Sequence, residues 1–253
     1  MHHKKIAVAG ATGRVGHHVV DVLTERGHEV VPIARSHGVD VITGDGLAQA
    51  LTGVDAIVDA ATGPSPDEHE ATEFFTTAAH NLHQYGAQAG VQRLVVVSII
   101  GIDEYVGGYG AAKKAHEKAA LHGPVPAAIL RASQFHEFVE TLTQWSTRGD
   151  TAYLPAMPTQ LVAARTVAEA LADLATDERF VPGQITEIAG PREENLVDAA
   201  TRLAERRGSG LRIVTAPKSG DPDIALMEKG GMLPGPDAVL AGPTFTEWLA
   251  NNI

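Results

Sequence analysis

Apolar positions recur along this chain in two alternating patterns. Short, nearly continuous apolar runs are separated by segments in which apolar residues return every three or four positions. The first pattern suits strands buried on both faces, and the second suits helices with one buried stripe. Ile6–Ala9 reads as strand one. Val15, Val19, Val22 and Leu23 follow at helical spacing, with Gly27 as a C-cap. Glu29–Ala34 reads as strand two, Val39–Thr43 as strand three and Asp55–Ala60 as strand four. Asp67–Ala89 reads as a long helix carrying Phe74, Ala78, Leu82 and Tyr85 on one face. Leu94–Ser98 is strand five, Tyr109–Leu121 a helix and Ala127–Leu130 strand six. Strands alternating with helices imply right-handed crossovers. The expected fold class is therefore α/β, a Rossmann-type doubly wound parallel sheet.

After Arg131 the pattern loosens. Phe135, Phe138, Leu142 and Trp145 mark another helix face, and Thr166–Ala175 reads as a helix capped by Thr166. Ile185–Ala189 reads as a returning strand, Asn195–Arg207 as a helix and Leu211–Thr215 as a short strand. Glycine and proline are dense from Pro217 to Pro243, which predicts loop with one short helix. The division expected is a dinucleotide-binding domain over 1–150 and a small C-terminal α/β lobe over 151–253, packed on the first as one compact unit. Pro32 sits inside strand two, where it cannot donate to a ladder, so that strand should be short or distorted.

The junction between strand one and its helix carries Gly10-Ala-Thr-Gly13-Arg-Val-Gly16. A strand, a tight glycine turn and a helix start are what a pyrophosphate needs, because backbone amides and the helix dipole both favour an anion there. Gly10, Thr12, Gly13, Arg14, Val15 and Gly16 are the candidates to hold it. The end of strand two then reports on the ribose. It carries Arg35, Ser36 and His37 and no carboxylate. Arg35 is expected either to pair with a 2′-phosphate, helped by Arg14, or to be a solvated surface arginine. The missing carboxylate favours NADP(H) over NAD(H). Asp45 either accepts from an adenine amine or forms a turn. Ala60, Ala61 and Thr62 either run beside the adenosine ribose or simply pack tightly.

Strand five ends at Ser98, and Tyr109 and Lys113 follow four residues apart. That spacing puts both on one helix face. A free phenol is a poor acid–base group at neutral pH, and a nearby ammonium is expected to lower its pKa. Lys113 can also bond the nicotinamide ribose. Ser98 is expected either to donate to a substrate carbonyl or merely to end its strand. Tyr105 lacks a lysine at the matching spacing. Arg131 heads the segment that follows strand six, where the chain passes the nicotinamide end, and it joins the candidate cofactor set. His136 in that segment is expected to face substrate, or else to cap a helix or support the site from behind. Phe135, His136, Phe138, Trp145 and Met157 are candidates to line a substrate pocket at the carboxyl ends of the strands, or else form lobe core.

The chain has 253 residues, 44% of them apolar, which suits a folded core. No cysteine is present, so disulfides and thiolate metal sites are excluded and a reducing cytoplasm is the expected home. No apolar stretch approaches the ~18 residues of a membrane span, and none of signal-peptide type is seen. The net charge of −11 disfavours nucleic acid as a partner. Of the twelve histidines, His17, His18, His80 and His83 read as surface residues and not as a zinc site, so no metal is expected. The expected partners are a small-molecule substrate and, by base rate, a second copy in a homodimer.

These residues resemble a known family. The glycine loop, Val97-Ser-Ile-Ile-Gly-Ile-Asp103, Tyr109-Gly-Ala-Ala-Lys113 and Leu130-Arg-Ala-Ser-Gln-Phe-His-Glu-Phe138 look like an atypical short-chain dehydrogenase/reductase of the bacterial NmrA-like NAD(P)H-binding group. Leu233-Pro-Gly and Phe245-Thr-Glu-Trp248-Leu249 are similar to that group as well. The resemblance implies a Rossmann domain with a C-terminal substrate lobe, NADP(H) held by the glycine loop and Arg35, and a serine–tyrosine–lysine site at Ser98, Tyr109 and Lys113. It implies no substrate. Similar proteins include carbonyl, quinone and dye reductases, and sensors that bind cofactor without turnover. A redox sensor is therefore the alternative reading, and the intact tyrosine–lysine pair weighs against it. A nucleotide-sugar epimerase or dehydratase is a third reading, against which Arg35 and the small lobe count.

Overall fold

The computed structural model describes residues 3–253. Its first half runs β1 (Lys5–Ala9), α1 (Gly16–Glu25), β2 (Glu29–Ile33), α2 (Leu47–Ala50), β3 (Ala56–Asp59), α3 (Glu68–Ala89), β4 (Arg93–Ile99), α4 (Gly108–Leu121) and β5 (Ala127–Ala132). Then follow α5 (Phe138–Trp145), β6 (Thr147–Arg148), β7 (Thr151–Leu154), β8 (Pro158–Thr159), α6 (Ala164–Thr176) and β9 (Ile185–Ala189). The chain closes with β10 (Glu194–Asn195), α7 (Leu196–Arg207), β11 (Arg212–Thr215), α8 (Pro222–Glu228), β12 (Val239–Leu240) and α9 (Phe245–Asn252).

The main sheet has seven strands in the order β12-β9-β5-β4-β3-β1-β2. Neighbours pair in parallel, with Ala7 opposite Val31 on one side and Ile57 on the other. This is the doubly wound arrangement that the alternating pattern predicts. β2 is an edge strand, and Pro32 sits there opposite Val8 without breaking the register. An edge position removes the objection to proline, since its missing N–H is not needed by a further strand.

Val39–Thr43 is not a strand. The Asp40 carboxylate accepts from the backbone N–H groups of Ile42 and Thr43, at 2.7 and 3.4 Å. Gly44 N–H closes back on the Asp40 carbonyl at 3.0 Å. This aspartate turn gives the backbone a local alternative to a ladder. Thr166 is not an N-cap either, because α6 starts two residues earlier. The Glu137 carboxylate accepts from Ala164 N–H at that end. The long helix does have its expected cap, with Asp67 accepting from His69 and Glu70.

Two compact units are distinguished. The first holds the chain up to Ser98, Gly107–Arg131 and Val167–Thr186; the second holds Ile99–Val106, Ala132–Thr166 and Glu187–Ile253. The boundary expected near residue 150 falls inside the second unit. Most of α6 packs with the first, where Arg26 pairs with Asp173 at 2.7 Å and Lys4 donates to the Thr176 carbonyl at 3.0 Å. The first unit's core is built from Ala7, Ile33, Leu47, Ile57, Leu82, Leu94, Val96 and Ile129. The second is centred on Val139, Leu154, Met157, Leu161, Leu196, Leu203 and Phe245.

Candidate active site

In the first unit, β1 runs into α1 through a turn that tolerates no side chain at two points. Gly10 has φ +72°, and a Cβ there would lie 2.6 Å from the Ala60 carbonyl oxygen. A Cβ on Gly16 would lie 2.0 Å from the Gly10 carbonyl oxygen. Only glycine permits these approaches, which draw the start of α1 against the ends of β1 and β3. Gly13 N–H donates to the Gly10 carbonyl at 2.8 Å and tightens the loop. No side chain caps α1, and its first turn carries no acidic residue. The uncapped amide end is thus suited to a diphosphate, and the chain around it fits a nicotinamide dinucleotide.

The other candidate cofactor residues divide by placement. Thr12, Arg14 and Arg35 are exposed, and Arg35 opens a short 3₁₀ turn directly after β2. Asp45 is exposed, and its backbone takes part in the Asp40 turn. Ala60 and Ala61 lie against Gly10. A cavity of about 280 Å³ opens beside this strand end, lined by Ile42, Gly63, Ser65, Glu73 and Phe74. Arg131 behaves differently from the expectation. It is buried in β5, and its fork is held by the Glu117 carboxylate at 2.9 and 2.8 Å. The strand interior directs it to that partner.

Ser98, Tyr109 and Lys113 also belong to the first unit. Ser98 lies near the end of β4, buried, and its Oγ has no hydrogen-bond partner among the described residues. Tyr109 enters α4 half-buried, with its hydroxyl 3.1 Å from Thr62 Oγ1. Phe75 of α3 is the hub beside it. Its ring meets Tyr109 edge-on at 5.7 Å, stacks on His116 at 4.6 Å and lies 4.4 Å from the Lys113 ammonium.

The electrostatics differ from the sequence expectation in one respect. Burial raises the Tyr109 phenol above its usual value, and the Thr62 bond only partly opposes this. Lys113 does not lower it, because the lysine is turned inward. Lys113 is only 4% exposed and donates to the Val97 carbonyl at 2.9 Å. It also lies 2.9 Å from His116 Nδ1. Burial pulls the ammonium down to about 8, partly opposed by Asp59 and Glu117. At neutral pH the phenol is protonated and the lysine charged. That pairing offers a proton donor beside a cation.

Sequence reasoning missed Asp59, His116 and Glu117. Asp59 ends β3 almost fully buried, with its carboxylate on Ala61 N–H at 3.0 Å and His116 Nε2 at 3.0 Å. Burial pushes this carboxyl up, but the His116 hydrogen bond, with the Ala61 N–H bond and the Lys113 charge, outweighs it and holds it below the usual range. The signal was available in part: an acid closes the otherwise apolar run Ala56-Ile-Val-Asp59, and His116 lies seven residues after Tyr109 on the same helix face. His83, expected at the surface, is buried. It lies 2.8 Å from the Ala120 carbonyl through Nε2 and accepts from Val125 N–H at Nδ1, which suits a neutral ring.

The candidate substrate-pocket residues lie in the second unit. His136 is buried between Phe245 and Trp248, with ring centroids at 5.3 and 5.5 Å. Burial lowers it to about 4, so it is neutral. Its Nε2–H donates to the Pro243 carbonyl at 3.1 Å, leaving Nδ1 without a partner among the described residues. Met157 is core, Trp145 is 67% exposed and meets Phe138 edge-on, and Phe135 bridges to Val162. A cleft of about 530 Å³ in this unit is lined by Arg192, Glu194, Asn195, Asp198 and Arg202, and contains none of the candidate site residues. Tyr105 donates to the Met232 sulfur at 2.8 Å, and burial raises its phenol. Among the described residues no cluster of acids and histidines is arranged to hold a metal, and no helix is long and apolar enough to cross a membrane.

Fold and cradle together define a nicotinamide-dinucleotide binder. The sequence signature of the NAD(P)H-binding family matches residues 10–178, and the chain belongs to that family. It is 28% identical over 115 residues to the photosystem II assembly factor Ycf39 of Synechocystis sp., across 40% of this chain and 35% of that one. It is 30% identical over 141 residues to the 4-hydroxy-tetrahydrodipicolinate reductase of Natronomonas pharaonis, across 54% of this chain and 47% of that one. Both matches thus span less than half of the relative's length. Among solved structures, MoeE5 in complex with UDP-glucose and NAD superposes with a TM-score of 0.73 at 21% identity, over 97% of this chain and 96% of that one. The NADPH-dependent quinone oxidoreductase QOR2 of Escherichia coli, complexed with NADPH, gives 0.72 at 20% identity, over 97% and 98%. These two share the fold, an NAD(P)-binding Rossmann architecture.

Proposed function

We propose that the protein is an NADP(H)-dependent oxidoreductase acting between nicotinamide and the carbonyl or alcohol carbon of a small apolar or aromatic substrate. The observation that carries this reading is the pairing on α4 of a protonated, half-buried phenol with a buried ammonium one helical turn away. The glycine turn and the uncapped end of α1 hold the diphosphate. The nicotinamide cofactor supplies the hydride. Tyr109 gives its proton to the substrate oxygen as negative charge develops there. Lys113 holds the nicotinamide ribose with its remaining donor, and the unpartnered Ser98 hydroxyl donates to the same substrate oxygen as Tyr109.

Arg35 supports the phosphorylated cofactor. It is an exposed guanidinium directly after β2, in a position where a ribose-binding acid would favour NAD(H). Arg35→Asp is expected to weaken NADPH about 10–100-fold, with NADH changed by less than about threefold. Fluorescence titration of both cofactors checks this, and equal weakening of the two would remove the 2′-phosphate role.

One observation favours a second reading, a cofactor-binding sensor without turnover. Lys113 is engaged by His116 and Val97, so part of its donor capacity is already used. The two readings separate when purified protein is mixed with NADPH and a panel of quinones and aromatic ketones. Loss of reduced-cofactor absorbance supports the enzyme. Tight NADPH binding with no loss across the panel supports the sensor.

A further inference from the structure

We propose that His116 and Asp59 are positioning residues for Lys113: a buried relay, lysine to imidazole to carboxylate, that keeps the lysine cationic and leaves one of its N–H groups to be aimed. The inference rests on the reading of Tyr109 and Lys113 given above, and it adds two residues which no feature of that reading requires.

The hydrogen-bond directions fix the protonation states. An ammonium donates and cannot accept, so His116 Nδ1 must be the acceptor of the 2.9 Å contact with Lys113. The imidazole proton is then on Nε2, and it is donated to Asp59 Oδ2 at 3.0 Å. Burial, with the lysine charge beside it, lowers the His116 pKa, which suits this neutral ring. The carboxylate therefore meets the ammonium through a polarised imidazole, and each buried member has a partner. Two of the three ammonium donors are fixed, one on the Val97 carbonyl and one on His116. One donor is left. Phe75 covers both the imidazole and the ammonium, and it keeps water from competing for the relay.

Every charged or titratable group packed around the lysine enters this balance. Asp59 comes from β3, His116 and Glu117 come from α4, and β4 contributes only the Val97 carbonyl. Glu117 is committed to Arg131 of β5 by two hydrogen bonds, so its charge is largely matched. His83 of α3 is neutral and bound to the Ala120 carbonyl. Asp59 is therefore the anion that keeps Lys113 charged. The active form is the ammonium, and it is lost as pH rises through about 8. Turnover should accordingly show an alkaline limb near that pH.

Asp59→Asn keeps the shape and removes the charge. His116→Gln keeps an acceptor for the lysine and a donor for Asp59, whereas His116→Leu keeps neither. The direct readout is titration of the Lys113 side chain by NMR with labelled lysine, assigned with Lys113→Met. Loss of the opposite charge in Asp59→Asn, and loss of the accepting imidazole in His116→Leu, are each expected to lower the midpoint by about one pH unit or more, with His116→Gln near the wild type. The alkaline limb of kcat should move in step, with KM for the substrate little changed. An unmoved lysine midpoint in folded Asp59→Asn overturns the relay. If Asp59→Asn does not fold, the two His116 variants decide it: equal midpoints in the leucine and glutamine forms overturn it. Because the NMR titration needs no substrate, a shifted midpoint without turnover leaves the relay standing and sinks only the assignment as an enzyme.

Discussion

Tyr109→Phe is expected to lower kcat with a quinone or aromatic ketone by about 10²–10⁴-fold while NADPH binds as tightly as before, the range typical of losing one general acid. The change deletes one oxygen. It removes the proton source and the Thr62 contact, and leaves the ring against Phe75. Thr62 is exposed, so the lost hydrogen bond costs stability only about 1 kcal/mol. A rise in KM with kcat unchanged would mean that the phenol binds substrate without giving it a proton. Steady-state rates, NADPH titration and thermal unfolding of the same preparation separate these outcomes.

The largest loss of stability is expected from Glu117→Ala. Glu117 and Arg131 are both buried, and two hydrogen bonds join them. Removing the carboxylate leaves a guanidinium in the sheet without its counter-charge, which costs about 3–5 kcal/mol. For a chain of this size that lowers the midpoint of thermal unfolding by about 10 °C. The exposed Arg179–Asp177 pair is the control. Arg179→Ala should leave the midpoint of thermal unfolding almost unchanged, because solvent screens that pair. Equal effects of the two substitutions would show that burial does not govern the Arg131 pair. Differential scanning calorimetry at one pH compares them directly.

Much of the fold was legible because the sheet is parallel and buried. Its strands are apolar on both faces, so runs such as Leu94–Val97 stand out, and glycines mark the turns between periods. Val39–Thr43 looked the same and is not a strand. There a single carboxylate, Asp40, competes for the backbone, and alternation of apolar residues carries no record of that local bond. The division into units was also hidden, because α6 returns to the first unit through contacts far away in sequence, such as Lys4 with Thr176.

The candidate site was legible where its parts are local. Four-residue spacing puts Tyr109 and Lys113 on one face, and the glycine turn declares itself by position between a strand and a helix. What the lysine faces was not legible. Asp59 and His116 are 57 residues apart and meet only when β3 and α4 are packed against one another. The phenol was expected to be lowered by the lysine, but burial raises it instead. Helical spacing fixes which face a side chain leaves from, whereas the buried partner fixes where its charge ends up. Arg131 repeats the lesson: its place after the nicotinamide-side strand carried no sign of the buried Glu117 carboxylate that it meets.

The central claim is that the glycine crossover holds a nicotinamide cofactor where the Tyr109 phenol can complete a reduction. Deuterium transfer tests it most directly. With NADPH carrying deuterium at both C4 positions and an aromatic ketone as acceptor, the account predicts one deuterium on the carbinol carbon of the product and a slower rate than with unlabelled cofactor. Labelled cofactor that binds tightly and keeps its deuterium against every acceptor offered would contradict it.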